Sequence, residues 1–330
     1  MSEPMTPNHA DTPPGMPAAD GSPAPQDPYD PDAFRAALVA AGLMIPGPVR
    51  GVWGRGAVFE DIVERFDALV LREAAADGAE SLTFPPIVAR ALIEQLGYLD
   101  NFPQLAGSIH SFSGSELQGR EIGALAAAGQ RWEQLLQPAE TMLLPAACYP
   151  VYPVFSGLLP EGGRLVTTRN WCFRHEPSDE PTRLQSFRMR EYIRVGAPEA
   201  VQAWRDAWLE RALALLGSLG LPVRSDLAND PFFGRSGRMM AASQRDQRLK
   251  FEILVPVISA SAPTAICSFN WHQEHFTGKF GIRQPGGATA HTACLGFGLE
   301  RVALALIKTH GTDPATWPAA VRERLWPQEA

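Results

Sequence analysis

The sequence predicts an α+β fold in which helices pack against an antiparallel sheet. Long segments carry apolar residues at helical spacing, and several strand-like runs that are not adjacent along the chain lie between them. Of the 330 residues, 45% are hydrophobic, so the chain can bury a sizeable core. No internal repeat is visible, and we expect one large domain.

The N-terminal segment is expected to lie outside that domain. Residues 1–30 are rich in Pro, Ala, Asp and Ser, and such a segment cannot bury enough apolar surface to offset the entropy lost on ordering. They are predicted to form a disordered tail, and residues 31–330 a single folded domain. Asp32 is the expected N-cap of a first helix over residues 33–42, and Gly42 is its expected stop.

Two long helices are predicted over residues 58–75 and 200–219, each with one buried face. Gly220 and Pro222 should end the second. The apolar positions at helical spacing are Val58, Phe59, Ile62, Phe66, Leu69 and Val70 in the first, and Val201, Trp204, Trp208, Ala212, Leu215 and Leu219 in the second.

Three runs predict strands. Residues 81–84 end in Pro85-Pro86, and because a proline pair cannot continue a central strand, this strand should lie at an edge or end there. Residues 252–258 and 264–270 predict two further strands. A last long helix should begin near Gly298 and run to about His310, with Gly311 as its stop.

Composition narrows the class of protein. A net charge of -7 and an isoelectric point near 5.6 do not indicate the basic face typical of nucleic-acid binding. The N-terminus lacks the pattern of a signal peptide, and no apolar run reaches the ~18 residues that span a bilayer. We therefore predict a cytoplasmic protein without membrane association. Its four cysteines form no C-x-x-C pair and should be reduced thiols: Cys148, Cys172, Cys267 and Cys294.

Residues 173–187 carry the first chemical signal. Residues 173–176 read F-R-H-E, a polar loop follows over 177–182, and residues 183–187 read R-L-Q-S-F. F-R-x-E alone occurs by chance, and an arginine beside a glutamate is more often a solvated pair than a phosphate clamp. The whole pattern nevertheless resembles motif 2 of the class II aminoacyl-tRNA synthetases.

This resemblance implies an ATP site, and the residue types suit one. Arg174 can clamp the α-phosphate through its planar fork, and Arg183 can reach the outer phosphates. Phe187 offers a flat face to the adenine ring, and Glu176 can accept a hydrogen bond from the adenine amino group.

A second signal is the run 296–301, G-F-G-L-E-R, which opens the last predicted helix. It resembles motif 3 of the same enzymes, although a lone G-x-G-x-E-R is weak. Arg301 would project from the first helical turn toward the γ-phosphate, where the helix N-terminus adds favourable partial charge. The helix at 58–75 followed by residues 82–86 resembles motif 1, which implies a homodimer. The motifs occur in the class II order, which makes chance a poor explanation.

Four longer runs make the resemblance narrower. Between about residues 51 and 326 the chain resembles the atypical seryl-tRNA synthetase of methanogens, and more closely the short bacterial amino acid:[carrier protein] ligases. The runs are 147–153 (A-C-Y-P-V-Y-P), 187–192 (F-R-M-R-E-Y), 229–234 (N-D-P-F-F-G) and 291–298 (H-T-A-C-L-G-F-G).

The resemblance implies one Zn2+ per chain, held by Cys148, Glu191 and Cys294, with Glu191 placed at the end of the motif 2 strand. Spacing alone does not predict this site. Three protein ligands would leave a fourth zinc position for the substrate α-amino group. Cysteine is more often a small core residue, and Cys172 is assigned to that class. His272 and His275 form an H-x-x-H pair, which we expect to be a loop or surface pair near the active site.

The resemblance also fills in the nucleotide pocket. The catalytic residues would be Arg174 and Arg301, and Mg2+ would accompany the ATP. The predicted strand at 264–270 carries no carboxylate ligand for Mg2+, so Glu252 is the nearest candidate. The remaining pocket residues implied by the family are Leu184, Lys250, Ala265, Ile266, Cys267 and Ser268, of which Cys267 is also expected to be a core residue.

The expected activity is ATP-dependent activation of a small amino acid, glycine or alanine, and its transfer to the phosphopantetheine thiol of a carrier protein. The seryl enzymes carry a large N-terminal domain for tRNA, for which this sequence shows no counterpart, so tRNA is an improbable acceptor. Two alternatives stay open: a minimal tRNA synthetase, and a non-catalytic synthetase paralogue acting as a regulator or binding module.

Overall fold

The computed structural model describes residues 29–327. The predicted tail therefore lies, apart from its last two residues, outside the described part of the chain. The helices are α1 (Pro31–Ala40), α2 (Ala57–Ala74), α3 (Arg90–Gln95), α4 (Tyr98–Asn101), α5 (Glu116–Ala127), α6 (Pro198–Ser218), α7 (Gly234–Asp246), α8 (His275–Phe280), α9 (Leu299–His310) and α10 (Ala319–Leu325).

The central sheet has seven strands in the order β10-β11-β12-β14-β9-β8-β3. Its pairs are antiparallel except for β3 with β8, which confirms the predicted α+β class. The strands are β1 (Met44–Ile45), β2 (Gly54–Arg55), β3 (Glu80–Ser81), β4 (Ile87–Ala89), β5 (Ser108–Ser111), β6 (Gln137–Leu143), β7 (Gly157–Leu158), β8 (Arg164–Phe173), β9 (Ser186–Gly196), β10 (Arg224–Leu227), β11 (Lys250–Val255), β12 (Thr264–Gln273), β13 (Ile282–Arg283) and β14 (His291–Gly298).

The main core lies between the sheet and helices α2, α6 and α9. Helix α9 is buried along nearly its whole length, and Phe66 of α2 packs edge-on against Phe297 at the end of β14. Each such aromatic side chain removes a large apolar area from water. The burial fixes α9 against the sheet and so fixes the direction of its first turn.

Both predicted long helices are present, with small differences. Helix α2 buries the predicted face apart from Val58, which is 46% exposed because it lies in the first turn beside Phe59, which points into the core. Helix α1 begins two residues early. Asp30, not Asp32, is its N-cap and accepts hydrogen bonds from the N–H groups of Asp32 and Ala33. Pro31 suits the first helical position because it has no N–H group to satisfy.

The predicted strands shift at their ends. Strand β11 begins at Lys250 and ends at Val255, since Pro256 follows and cannot donate to the ladder. Strand β12 extends past Asn270 to Gln273 through an irregularity at Trp271. The predicted strand at 81–84 pairs only at Glu80 and Ser81, and it lies at the sheet edge as expected.

A smaller sheet, β4-β6-β5, and the short helices α3 and α4 form a second layer that the sequence did not predict. Its strands are three to seven residues long, too short for a clear alternation of apolar and polar residues. This layer borders one side of the site described below. Within residues 29–327, no helix is long and apolar enough to cross a bilayer.

Candidate active site

Strands β8 and β9 form a hairpin that carries the first motif. Phe173 pairs with Ser186, and the loop between them folds back so that the N–H of Arg174 donates to the Gln185 carbonyl at 2.9 Å. Arg174 follows the strand rather than lying on it. Its Nε donates to the Pro145 carbonyl at 3.2 Å, and its guanidinium lies 5.5 Å from the centre of the Phe187 ring. The loop thus sets a cation beside an aromatic face.

The second motif joins the end of β14 to the first turn of α9. Arg301 reaches across the sheet end, where its Nε donates to the Thr182 carbonyl at 2.9 Å and its Nη1 to the Ala265 carbonyl at 3.0 Å. Burial lowers the pKa of Arg301, and the positive charge of Arg174 lowers it further. Two partly buried guanidinium groups at one end of the sheet form a site that favours an anion.

Glu300, the neighbour of Arg301, is 1% exposed and ties α9 to β9. Its carboxylate accepts the Arg188 main-chain N–H at 2.7 Å and the Arg188 Nε at 2.8 Å. Arg188 in turn donates to Glu60 of α2 through both terminal nitrogens. No sequence pattern predicts this connection, because its members lie far apart along the chain.

Arg174, Glu300 and Arg301 line one cavity of about 500 Å³. The structure brings together in its walls nearly all the residues predicted for the site, and Arg183 is the exception. The predicted residues that line the cavity are Cys148, Arg174, Glu176, Leu184, Phe187, Glu191, Lys250, Ala265, Ile266, Cys267, Ser268, Cys294 and Arg301.

Arg183 lies on the motif 2 loop outside the cavity wall. Its side chain is 51% exposed and forms ion pairs with Glu176 at 3.5 Å and with Glu180 at 3.4 Å. Contact with the outer phosphates would require this loop to rearrange, so that role stays a prediction.

Lys250 lines the cavity as predicted, but two carboxylates hold it. Its Nζ lies 2.6 Å from Asp230 and 3.0 Å from Glu252. Burial disfavours the charged form of Asp230, but the charge of Lys250, hydrogen bonds from Gln244 and Lys250, and the charge of Arg174 together outweigh burial and lower the pKa of that carboxyl. Asp230 belongs to the run at 229–234, and the sequence did not show that it pairs with Lys250.

Cys148, Glu191 and Cys294 converge at the inner wall of the cavity. All three are buried, and their ligand atoms lie within 4.8 Å of one another. Glu191 was predicted at the end of its strand. It occupies the middle of β9 instead, because β9 continues to Gly196. The Glu191 Oε1 accepts the Ala147 N–H at 3.0 Å, while Oε2 is buried without a hydrogen-bond partner among the described residues.

The electrostatics of these three side chains favour a bound cation. Burial and the nearby Cys294 raise the pKa of Glu191 to about 7. A hydrogen bond with Cys294 and then burial raise the pKa of Cys148, and the same hydrogen bond lowers the pKa of Cys294. Two thiols and a carboxylate in a buried cluster are a donor set that fits Zn2+, and three protein ligands are typical of a site with an open position.

The prediction that His272 belongs to a loop or surface pair is wrong. It lies on β12, which continues beyond Asn270, and its Nε2 is 3.5 Å from the Cys294 sulfur. His275 is exposed, as expected, at the first position of α8. Both rings border the cavity. Cys172 and Cys267 are buried as predicted.

Six aromatic side chains that were not predicted as site residues also line the cavity. Tyr149 and Phe232 lie in runs that carry the family resemblance, but an aromatic residue is equally common in a core, so residue type alone gives no signal of this role. The six are Tyr98, Phe102, Tyr149, Phe232, Trp271 and Phe276.

Comparison with known proteins agrees with this site. Amino acid–[acyl-carrier-protein] ligase 1 of Bradyrhizobium diazoefficiens is 49% identical over 280 residues, which cover 83% of this chain and 85% of that protein. Ligase 2 of the same organism is 44% identical over 309 residues, covering 93% and 90%. The type-2 serine–tRNA ligase of Methanopyrus kandleri is 26% identical, and the match spans only 57% of its length.

The fold is also similar to that of a seryl-tRNA synthetase. The M. kandleri seryl-tRNA synthetase, solved in complex with A. aeolicus tRNASec, superposes with a TM-score of 0.76 at 22% identity, covering 88% of this chain and 60% of that one. No family model matches the sequence. Its identity to the two bacterial ligases across most of each chain shows that this protein belongs to the amino acid–[acyl-carrier-protein] ligase family, with a class II aminoacyl-tRNA synthetase fold.

Proposed function

We propose that the protein activates a small amino acid with ATP and transfers it to the phosphopantetheine thiol of a carrier protein. One observation carries this proposal: the paired arginines, Arg174 and Arg301, and the cluster of Cys148, Glu191 and Cys294 line a single cavity. A phosphate site and an amino-group site would then lie within reach of one small substrate.

In the first step, a carboxylate oxygen of the amino acid attacks the α-phosphorus of ATP. The bond from that phosphorus to the bridging oxygen of the β-phosphate breaks, and pyrophosphate leaves. Arg174 would hold the α-phosphate, and Arg301 the outer phosphates. Phe187 would stack on the adenine, and Glu176 would accept a hydrogen bond from the adenine amino group. Catalysis of this kind consists mainly of positioning and charge stabilisation.

Cys148, Glu191 and Cys294 would hold a Zn2+ ion. The unpartnered Oε2 of Glu191 and the two buried thiols supply the donors. When bound, zinc supplies a Lewis-acidic position for a neutral α-amino group. The protein's own contribution is to hold three ligands on rigid elements, so that this group is fixed near the phosphate-binding arginines.

Mg2+ would accompany the triphosphate, as in ATP enzymes generally. Glu252 is the predicted carboxylate ligand, and it lines the cavity. It also contacts the Lys250 ammonium, so the ion would share this carboxylate with Lys250. Glu252 is assigned to Mg2+ because of its position in the cavity wall.

In the second step, the carrier's thiol sulfur attacks the carbonyl carbon of the aminoacyl-adenylate. The bond from that carbon to the phosphate oxygen breaks, AMP leaves, and the thiol proton passes to solvent. The two bacterial relatives are named as ligases of an acyl-carrier protein, and a slender phosphopantetheine arm suits a cavity of this size.

Helix α7 offers a surface for an acidic carrier at the rim of the cavity. Met240, Ser243 and Gln244 of this helix line the cavity, while Arg235, Arg238 and Arg245 are exposed. Met239 is 72% exposed. Positive charge around an exposed apolar side chain favours association with an acidic helical partner. Reversing Arg235 and Arg238 to Glu should impair transfer and leave adenylate formation unchanged.

The first step separates catalysis from a regulatory paralogue. Purified protein with ATP, glycine and radiolabelled pyrophosphate should exchange label into ATP without any acceptor. Alanine is the second substrate to test, with serine as the comparison from the tRNA ligases. No exchange with any of the three amino acids would contradict the proposed function and favour the non-catalytic alternative.

A further inference from the structure

His272 makes two polar contacts through its two ring nitrogens. Its Nε2 lies 3.5 Å from the Cys294 sulfur, and its Nδ1 lies 3.0 Å from the Thr292 hydroxyl. Thr292 is fully buried, and it shares β14 with Cys294. The ring also packs against Phe276, with centroids 4.8 Å apart. Both the position and the orientation of the imidazole are therefore set by neighbours.

These contacts select one tautomer. A metal-bound cysteine is a thiolate and has no proton to donate, so a hydrogen bond to Cys294 requires the proton on Nε2 of His272. The neutral ring then has a bare Nδ1, which accepts the Thr292 hydroxyl proton. The Thr292 hydroxyl can donate or accept, so it accommodates the tautomer that the thiolate selects and holds the ring with Nε2 toward the sulfur.

His272 contacts Cys294 from outside the ligand cluster. The set of ligand atoms within 4.8 Å of one another contains Cys148, Glu191 and Cys294 and does not contain His272. Asn270 points its amide at the same sulfur, also at 3.5 Å. Two N–H donors from β12 therefore converge on Cys294.

We propose that His272 is a positioning residue, which donates a hydrogen bond from Nε2 to the Cys294 thiolate while Thr292 holds its ring in place. Two thiolates and a carboxylate carry one negative charge more than Zn2+ neutralises, and the cluster is buried. Donors at the sulfur offset that excess charge and hold the ligand's orientation. This inference rests on the proposed zinc site.

The test compares variants by zinc affinity and by the spectrum of cobalt-substituted protein. His272→Phe keeps the ring packing and removes the donor, so zinc affinity in a chelator competition should fall about 10–100-fold. The sulfur-to-cobalt charge-transfer band should move to longer wavelength, because the thiolate becomes more electron-rich. His272→Gln should restore both properties in large part, since its amide nitrogen can occupy the place of Nε2. Thr292→Val should give an intermediate loss.

His275→Phe is the matched control, since its exposed ring lies on the following element and makes no described contact with Cys294. It should leave zinc affinity and the cobalt band unchanged. If His272→Phe behaves like this control while the parent protein binds zinc, the role of His272 is wrong and the zinc site stands. If the parent protein binds no zinc or cobalt, both proposals fail.

Discussion

Replacing Arg301 with methionine should abolish activation while leaving the fold intact. The side chain has five N–H donors, and the carbonyls of Thr182 and Ala265 anchor only two of its nitrogens. The remaining donors are available to phosphate oxygens. Removing one preorganised charge-stabilising donor typically costs 10²–10³ in kcat, about 2.7–4 kcal/mol. Because Arg301 contributes both charge and several donors, we expect a loss of about 10³-fold or more.

Stability should respond differently. Burial and the charge of Arg174 lower the pKa of Arg301, so the folded protein without ligand bears the cost of a disfavoured cation. Methionine removes that cost together with two charged hydrogen bonds, each of which contributes roughly 1.5–3 kcal/mol. The opposing effects should leave the free energy of unfolding within about 2 kcal/mol of the parent.

Pyrophosphate exchange and urea unfolding, run on the same preparations, separate these effects. Arg301→Lys is the matched control, since it keeps a cation but loses the fork that spans two carbonyls. It should fall between the parent and Arg301→Met in exchange rate. An Arg301→Met protein that retains exchange within tenfold of the parent would refute the assigned role. A variant that has unfolded under assay conditions would contradict the predicted stability.

Three further predictions concern the bound metal, the assembly of the protein and the ion pair between Asp230 and Lys250. Metal analysis should find about one zinc per chain, and Cys148→Ala or Cys294→Ala should lose nearly all activation; active protein without zinc would contradict this. We propose a homodimer built on α2 and the 82–86 segment, which sedimentation at assay concentration should detect; a fully active monomer would contradict it. Asp230→Asn should cost about 1–3 kcal/mol in unfolding free energy near neutral pH, because it breaks a largely buried pair with Lys250. Because the folded protein lowers the pKa of Asp230, the ionised carboxylate stabilises the fold at pH values above its ordinary pKa of 3.8. This stabilisation is lost as the pH falls through the lower pKa of the folded state. The difference in unfolding free energy between Asp230→Asn and the parent should therefore shrink in acid.

The sequence predicted the parts of the site that lie in short motifs. Arg174 and Arg301 came from the resemblance to motifs 2 and 3, which are short enough that a single turn of the chain determines the direction of each arginine. Cys148, Glu191 and Cys294 came from family resemblance alone. Their proximity depends on the register of β9 beside β14, where Glu191 pairs with Gly296. No local pattern encodes that register.

Other features required the folded chain. The place of Asp230 beside Lys250 depends on the loop that precedes α7, and the role of His272 depends on how far β12 continues. The H-x-x-H spacing suggests that the two histidines have the same role, but β12 ends between them. One histidine is thus placed at Cys294 and the other at the surface.

The acceptor distinguishes the proposed ligase from a tRNA synthetase. The protein should be incubated with ATP, radiolabelled glycine and either a carrier protein bearing phosphopantetheine or total tRNA, with the carrier lacking phosphopantetheine as control. We expect label on the complete carrier only, released by hydroxylamine as expected of a thioester, and no charged tRNA. Efficient charging of tRNA, with every complete carrier left unlabelled, would contradict the proposed function and favour a minimal tRNA synthetase.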